Sequence, residues 1–352
     1  MPHNILITGG SGYLGGTLLA RLSHAQLPPH NRLFALVRTP EQATAVRQYA
    51  GAEALNLNFS DPDSVQKVVI DNEISIVFHL FNPLDTVHSV SFIQALSEVK
   101  RRTGREVHFL FTTGAKLFSS HAGAPEGKVL RDADEGLYGV QKDMVRRAPH
   151  EVMGKGVEAN NVVVETAERF GVRSYIFAPC IVYGKGEGFG NVISIQTVAI
   201  VKAAKKLRRV YRVDEGRPTW PVCQVQDNTG LYLEILRAFL EGRDIPHGRN
   251  GYYLASPGSV AWDDIYGAIA KALYKRKVID DATIEMADDA VLQKMGDALG
   301  CPKEMVGVQL GGLCTFTPEN GKKIGWTPQY PPEHIIEAAD DEVELILQHL
   351  KP

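Results

Sequence analysis

The sequence predicts an α/β fold with a doubly wound parallel sheet and a smaller, mostly helical C-terminal region. Short β-branched runs alternate with longer amphipathic stretches over the first 180 residues, the pattern changes after Gly184, and residues 260–352 are mostly helical in pattern. Strand–helix alternation at this spacing is typical of right-handed βαβ units, which place their strands in one parallel sheet.

The individual elements follow from these patterns. Six strands are predicted at residues 4–8, 32–37, 53–57, 74–80, 107–112 and 174–177. Helices are predicted between them at residues 15–23, 41–49, 64–70, 92–102 and 162–170. Residues 184–190 are too rich in glycine for regular structure, helices at 198–206 and 228–240 flank an irregular strand region, and a Pro- and Gly-rich break falls at 311–332.

Composition excludes several classes of function. The 352 residues carry a formal net charge of −3, which argues against a dedicated nucleic-acid or anionic-membrane binder. No stretch approaches 18 uninterrupted apolar residues, and the N-terminus lacks a signal-peptide pattern. The four cysteines show no Cys-x-x-Cys spacing, so we expect reduced thiols and a cytoplasmic protein.

A glycine-rich turn lies between the first predicted strand and helix and reads TGGSGYLG over residues 8–15. Gly9 would make the tight turn, Gly12 would let a pyrophosphate approach the backbone, and Gly15 would let the helix pack close to the strand. The phosphates would meet free N–H groups and the positive end of the helix dipole. The position of this turn at the head of a βαβ series predicts a dinucleotide site.

The turn resembles that of the extended short-chain dehydrogenase/reductase superfamily, with its NAD-dependent epimerase/dehydratase-like members. Residues 60–65 (SDPDSV), 79–83 (HLFNP), 179–184 (PCIVYG) and 225–227 (VQD) are similar to further blocks of that family. The resemblance implies an NADP-binding Rossmann domain over residues 1–183 and about 222–258, and a substrate-binding region over about 184–221 and 259–352. It implies cofactor contacts from Gly9, Ser11, Gly12, Tyr13, Leu14, Gly15, Arg38, Asn58, Phe59, Leu80, Phe81, Thr112 and Pro179.

The end of the second strand indicates the preferred cofactor. NAD-selective members carry an acid there, whereas this chain has Arg38 followed by Thr39. A guanidinium can bind a ribose 2′-phosphate with charge-assisted hydrogen bonds, and an acid would repel that phosphate. We therefore expect NADP(H) to be preferred and NAD(H) to be second, unless Arg38 is simply a solvated strand-end residue. Asn58 stands where the family has an adenine-facing Asp, and its amide oxygen can accept from the adenine amino group.

Catalysis in this family uses a Ser, a Tyr and a Lys. The Tyr hydroxyl exchanges the carbonyl proton, the Lys lowers the pKa of that Tyr, and the Ser positions the substrate oxygen. The resemblance assigns Tyr138 and Lys142, within a Tyr-x-x-x-Lys pattern, to two of these roles. Gly114 stands at the place of the Ser, and Thr113 is the candidate substitute.

Two ways of counting disagree about the Tyr and the Lys. Counted forward from the fifth strand, Tyr138 falls in the right place, but counted back from the sixth strand it comes too early. A register fixed on the helix at 162–170 puts Val152 and Gly156 at the two places. Pro149 disfavours one continuous helix by about 3 kcal/mol, and the glycines after it disfavour one further. The chain therefore has either an insertion after Lys142 or no catalytic pair.

Further residues would contact a substrate. Lys116, two residues beyond Gly114, either holds an acidic substrate or is a solvated lysine. The resemblance also places Phe118, Tyr183, Phe189, Asn191 and Ser194 around the pocket. Such a lining, apolar and aromatic with a few polar groups, suits a medium-sized organic ligand.

These features favour an NADP(H)-dependent oxidoreductase acting on a carbonyl or alcohol of a medium-sized organic molecule. The missing Ser and the ambiguous Tyr and Lys leave open a non-redox isomerase, lyase or cyclase on the same scaffold, and a dinucleotide-sensing regulator ranks last. The sequence has no zinc motif, Cys/His cluster or nucleophile elbow, so no metal site is expected. Analogy with the family suggests a homodimer.

Overall fold

The strands are short and mostly buried, as their apolar runs predict. The computed structural model describes residues 2–57, 61–84 and 86–350. In chain order its strands are β1 (Asn4–Ile7), β2 (Leu33–Leu36), β3 (Glu53–Leu55), β4 (Ile74–His79), β5 (His108–Thr112), β6 (Arg173–Pro179), β7 (Ile181–Tyr183), β8 (Tyr211–Arg212), β9 (Thr219–Gln224), β10 (Tyr252–Ala255), β11 (Gly258–Ala261) and β12 (Glu285–Met286).

The helices begin and end at residues suited to those places. Thr39 caps the second helix by accepting a hydrogen bond from the Gln42 amide, and Gly171 ends the sixth in a left-handed conformation. The helices are α1 (Tyr13–Leu22), α2 (Pro40–Ala50), α3 (Pro62–Asp71), α4 (Thr86–Thr103), α5 (Leu137–Arg147), α6 (Glu151–Phe170), α7 (Gln196–Leu207), α8 (Val225–Leu240), α9 (Trp262–Lys275), α10 (Asp289–Leu299), α11 (Val306–Leu310), α12 (Asn320–Lys323), α13 (His334–Glu337) and α14 (Ala339–His349).

Seven strands form one parallel sheet in the order β10-β6-β5-β4-β1-β2-β3. Helix α1 packs against α2 and α8, and α4 packs against α3 and α6, so helices cover the sheet in two groups. The strand order reverses between β1 and β4, and ligands of such sheets bind at the carboxyl ends of the strands at that point. The predicted Rossmann-type doubly wound fold is confirmed.

The six predicted strands are all present, but the seventh strand of this sheet was not predicted. β10 is fully buried and pairs in parallel with β6, which completes the seven-stranded sheet. The main disagreement concerns α6. It runs without interruption through Gly154 and Gly156 for 20 residues, and the break expected around Pro149 is confined to the three residues between α5 and α6.

The C-terminal region is mostly helical, as predicted, and contains two small sheets. β11, β9 and β7 form one of them, and β8 pairs with β12 in the other. Helix α14 is tied to the rest of the chain by the buried Glu342. Its carboxylate accepts hydrogen bonds from the Gly184 amide (2.8 Å) and the Thr197 hydroxyl (2.7 Å), and burial raises the pKa of this carboxyl group.

Candidate functional site

The glycine-rich turn joins β1 to α1 at the reversal of strand order. Gly9 has a φ of +70°, and a Cβ on it would lie 2.2 Å from the Leu80 carbonyl oxygen. A Cβ on Gly15 would lie 2.4 Å from the Gly9 carbonyl oxygen. Both positions therefore require glycine, and the turn brings the first residues of α1 against the ends of β1 and β4. The N-terminus of α1 supplies the N–H groups and positive dipole end that favour a phosphate.

A cleft of about 490 Å³ opens beside this turn at the carboxyl ends of the strands. Nine of the thirteen predicted cofactor residues line it: Gly9, Gly12, Tyr13, Leu14, Gly15, Leu80, Phe81, Thr112 and Pro179. Ser11 and Arg38 are not among the lining residues. Asn58 and Phe59 lie outside the described residues.

Residues 184–191, which we call the strap, lie directly on the turn and on α1. A Cβ on Gly190 would lie 2.1 Å from the Ser11 carbonyl oxygen, and one on Gly188 would lie 2.6 Å from the Cα atom of Gly16. The Asn191 backbone N–H donates to the same Ser11 carbonyl (3.0 Å), and the Tyr13 hydroxyl donates to the Gly184 carbonyl (2.6 Å). The strap therefore packs on the glycine-rich turn, and its Asn191 contributes to the rim of the cleft.

The carboxylate of Glu187 holds the middle of the strap. Both of its oxygens accept from the guanidinium of Arg21 on α1 at 2.8 Å, and Oε1 also accepts from the side-chain nitrogen Nε2 of Gln226 at 2.8 Å. The Glu187 backbone amide donates to the Thr17 hydroxyl (3.1 Å). The Arg21 guanidinium holds the pKa of the Glu187 carboxyl below its usual range.

Arg38 follows β2 at the open edge of the turn. Its backbone amide donates to the Gln42 side chain (2.9 Å), and its side chain is exposed to solvent. Across residues 2–57, 61–84 and 86–350, no carboxylate pairs with its guanidinium. The guanidinium is therefore available to an anion from solution.

The other half of the cleft contains Thr113, Gly114 and Lys116, which directly follow β5. Thr113 is buried, and its hydroxyl has no hydrogen-bond partner in the described part of the chain. Lys116 lies in one turn of 3₁₀ helix, Ala115–Phe118, and is half-buried. Burial lowers the pKa of Lys116 to about 8, although the nearby Cys301 thiol opposes this shift.

Tyr138 and Lys142 lie together on α5, but neither lines the cleft. The Tyr138 hydroxyl and the Lys142 ammonium both donate to Glu165 Oε1 on α6, each at 2.6 Å. Arg249 stacks over the Tyr138 ring, 4.9 Å from its centroid. Burial and the bond to Glu165 raise the pKa of Tyr138 to about 12. The structure thus places this pair in an ion cluster beside α6.

The start of α6 forms the wall of the cleft that faces β5. Val152 and Met153 line the cleft there, and a Cβ on Gly156 would lie 2.7 Å from a methyl carbon of Leu117. Sequence reasoning reached Val152 only through the register fixed on the later part of this helix. It did not predict the lining role of Met153, although continuing that register by one residue would have reached it.

Of the remaining predicted substrate residues, Asn191 lines the cleft but the other four do not. Phe118 is fully buried against Phe316, with ring centroids 4.2 Å apart. The Tyr183 hydroxyl is hydrogen-bonded to His334 Nδ1 at 2.8 Å. Phe189 packs near Tyr49 at the outer side of the strap, and Ser194 is buried beside Glu342. The substrate roles assigned to these residues stay predictions.

Trp220 is a lining residue that the sequence analysis did not assign to the site. It is almost completely buried and reaches the cleft from β9. Over residues 2–57, 61–84 and 86–350, no group of three His, Cys, Asp or Glu side chains is placed to hold a metal ion. In the same described stretches, none of the helices has the length and apolar character to cross a bilayer.

Comparisons with known proteins agree with this geometry. A model described as "NAD dependent epimerase/dehydratase family" matches residues 5–247. Vestitone reductase from alfalfa is similar in structure, with a TM-score of 0.61, 18% sequence identity and 98% of each chain covered. UDP-glucose 4-epimerase from Thermotoga maritima, solved with UDP-glucose, has a TM-score of 0.60 at 15% identity and covers 99% of this chain and 100% of its own.

A third similar structure is yeast methylglyoxal/isovaleraldehyde reductase complexed with NADPH. Its TM-score is 0.61 at 11% identity, with 99% of this chain and 100% of that chain covered. At these identities the likeness shows the fold alone. No curated protein sequence matches the chain.

Proposed function

Because the chain belongs to the NAD dependent epimerase/dehydratase family, we propose that it is an NADP(H)-dependent oxidoreductase acting on a carbonyl or alcohol of a medium-sized organic molecule. The observation that carries this proposal is the glycine-rich turn at the reversal of strand order, which opens on a cleft of about 490 Å³. Its volume lies within the range of small-molecule sites, about 300–1,000 Å³.

The residues present fit a nicotinamide dinucleotide phosphate. A pyrophosphate would be held at the turn, where Gly9, Gly12 and Gly15 carry no side chains and α1 begins. Arg38 is exposed and lacks a carboxylate partner in the described part of the chain, which suits a ribose 2′-phosphate. The nicotinamide, when bound, supplies or accepts a hydride.

The substrate class follows from the lining beyond the turn. Phe81, Leu84, Val152 and Met153 are apolar, and Thr113 and Lys116 are among the few polar side chains beside them. Such a surface binds an organic molecule whose apolar part fills the cleft and whose oxygen meets the polar group. A nucleotide-sugar would need more hydrogen-bonding partners than this lining offers.

Trp220 provides the readout for a test of the cofactor. Titration with NADPH and NADH, followed by quenching of tryptophan fluorescence, should show NADPH binding about 10- to 100-fold more tightly, because charge-assisted hydrogen bonds to a phosphate are worth about 1.5–3 kcal/mol. The variant Arg38→Ala should lose this preference. The matched control Arg47→Ala removes an exposed arginine from α2 and should keep it. Equal affinity of the wild type for both cofactors contradicts the NADP(H) preference.

One observation favours a second candidate function. Tyr138 and Lys142 are engaged by Glu165 outside the cleft, and Val152, which the alternative register puts at the place of the Tyr, lines the cleft with an apolar side chain. A non-redox isomerase, lyase or cyclase on the same scaffold needs no Tyr acid. This function predicts product formation without a net change in NADPH absorbance at 340 nm, whereas an oxidoreductase consumes NADPH in proportion to product.

We also place the protein in the cytoplasm. Its cysteines are free thiols, and Cys180, Cys223 and Cys314 are buried. Chains that work in oxidising compartments tend to use such residues in disulfides. Localisation of the tagged full-length chain by microscopy tests this proposal.

A further inference from the structure

The half of the cleft around the end of β5 has few groups that can exchange a proton. Among the described residues that line the cleft, the ionisable side chains are Tyr13, Cys180 and Lys116. The Tyr13 hydroxyl donates to the Gly184 carbonyl (2.6 Å), and the Cys180 thiol donates to the Ala255 carbonyl (3.1 Å). Burial raises the pKa of both groups well above their usual values. Lys116 is the remaining group of the three.

Lys116 is held in an unusual setting for a lysine. It is half-buried, and its ammonium pairs with no carboxylate in the part of the chain that the structure describes. The titratable groups around it are the Cys301 thiol and His121, and His121 is itself bonded to the Gly311 carbonyl (2.8 Å). A pKa of about 8 leaves Lys116 mostly protonated at neutral pH and able to release its proton easily.

Thr113 provides an independent observation at the same place. Its side chain is 7% exposed, lines the cleft, and has no hydrogen-bond partner for its hydroxyl among the described residues. A buried hydroxyl without a partner is unfavourable, and a ligand oxygen or hydrogen-bond donor in the cleft would satisfy it. Thr113 and Lys116 both follow β5 within four residues, and both line the cleft.

We propose that Lys116 is a catalytic residue that protonates the oxygen of a carbonyl substrate, and that Thr113 binds the same oxygen. This inference rests on the proposed function, with NADPH as the reductant. As the carbonyl carbon gains a hydride, the electron pair of the C=O double bond moves onto oxygen. An N–H bond of Lys116 breaks while the new O–H bond forms, and the neutral amine then takes a proton from water. In oxidation of the alcohol the neutral amine accepts that proton.

The proton-transfer role has a test that needs no substrate. The intact protein is acetylated with trace acetic anhydride between pH 6 and pH 11. Peptide mass spectrometry then gives the reactivity of each lysine as a function of pH. Lys116 should reach half-maximal reactivity near pH 8. The matched control is Lys155 on α6, which is exposed and whose pKa is raised by its bond to Glu151. A Lys116 profile that coincides with that of Lys155 overturns the proposal.

The catalytic role is tested with Lys116→Met beside the control Lys155→Met. Both variants should bind NADPH within about threefold of the wild type, because the turn is untouched. Lys116→Met should reduce a panel of aldehydes and ketones at least about 100-fold more slowly, since general acids contribute about 10²–10⁴-fold. Thr113→Val, which keeps the shape but removes the hydroxyl, should raise KM with a smaller effect on kcat. Lys155→Met should retain wild-type turnover.

The outcomes separate the two proposals. Failure of the wild type to bind NADPH rejects the proposed function. Intact NADPH binding with equal carbonyl reduction by Lys116→Met and the wild type rejects the role of Lys116 alone. If the wild type binds NADPH but reduces no compound of the panel, the test is whether any of these compounds protects Lys116 from acetylation. Compounds of the panel that slow acetylation of Lys116 at least threefold support the inference, and absence of any protection overturns it.

Discussion

The two halves of the cleft differ in which part of the chain builds them. The half at the glycine-rich turn is made by backbone, because Gly9 and Gly15 have no room for a side chain and the strap lies on the same turn. The half at the end of β5 is made by side chains, with Thr113 and Lys116 opposite the apolar start of α6. A site made of backbone requires glycines at fixed spacing. In a site made of side chains, each residue can be substituted separately, so no fixed spacing is required. The first half therefore keeps a readable pattern and the second does not.

The largest effect is expected where the backbone has no tolerance. Gly15→Ala would place a Cβ 2.4 Å from the Gly9 carbonyl oxygen and force the turn to move. We expect NADPH binding to weaken by about 100-fold or more, which corresponds to about 2.7 kcal/mol. The measurement is fluorescence titration, with circular dichroism to show that the variant is folded.

Gly139→Ala is the matched control for that change. No atom of the described residues lies within 4 Å of a Cβ at this position of α5, and Ala favours a helix over Gly by about 0.5–1 kcal/mol. It should bind NADPH like the wild type and unfold at an equal or higher temperature. If a folded Gly15→Ala protein binds NADPH normally, the backbone of the turn is not the cofactor site.

A smaller effect is expected at the strap. Arg21→Met removes the ion pair with Glu187, which is formed by two hydrogen bonds. The side chains of Arg21 and Glu187 are each about one-third exposed. Such a pair is worth at most about 1 kcal/mol, so NADPH should dissociate up to about fivefold faster, as measured by stopped-flow displacement. Arg32→Met breaks a similar two-bond pair with Glu53 between β2 and β3 and should leave the rate unchanged. Equal effects of the two variants would mean that the strap does not retain the cofactor.

The smallest effect on turnover is expected at Tyr138. Its hydroxyl donates to Glu165 and its pKa is raised to about 12, which is the wrong direction for a group that exchanges protons near neutral pH. Tyr138→Phe should leave turnover within about twofold and cost about 0.5–1.5 kcal/mol of stability through the lost hydrogen bond. Tyr274→Phe changes an exposed tyrosine of α9 and should affect neither.

Kinetics and thermal unfolding of these two variants decide the point. A fall in turnover by orders of magnitude in Tyr138→Phe, with NADPH binding intact, would restore Tyr138 as the acid. The second half of the cleft would then have to rearrange when substrate binds.

The sequence predicted the fold and the glycine-rich turn between β1 and α1 well, because both rest on periodicity and on glycines that sterics require. It missed β10, because Tyr252–Ala255 is too short to distinguish from a loop without its neighbour β6. It overestimated the breaking effect of Gly154 and Gly156 within α6. Packing of a long helix against a sheet outweighs an intrinsic cost of about 1 kcal/mol per glycine.

The half of the cleft at the end of β5 was harder to predict for a different reason. Tyr138 and Lys142 match a short pattern, but Glu165, which binds both, is far along the chain and carries no recognisable spacing. The sequence leaves open whether Lys116 is a solvated lysine, because nothing in the residues around it shows the burial that lowers its pKa. Contacts between distant elements decided both cases.

The strap separates two kinds of position along one short segment. Three of its even-numbered residues, Gly186, Gly188 and Gly190, press bare backbone against Tyr13, Gly16 and Ser11 and leave no room for variation. Its odd-numbered residues include Lys185, which is exposed, and Phe189, which packs near Tyr49. Substitutions at Lys185 and Phe189 that keep the glycines would therefore alter the outer side of the strap without disturbing its backbone contacts to the turn. For protein engineering, these two positions are places where the surface of the strap can be changed while the backbone packing at the turn is kept.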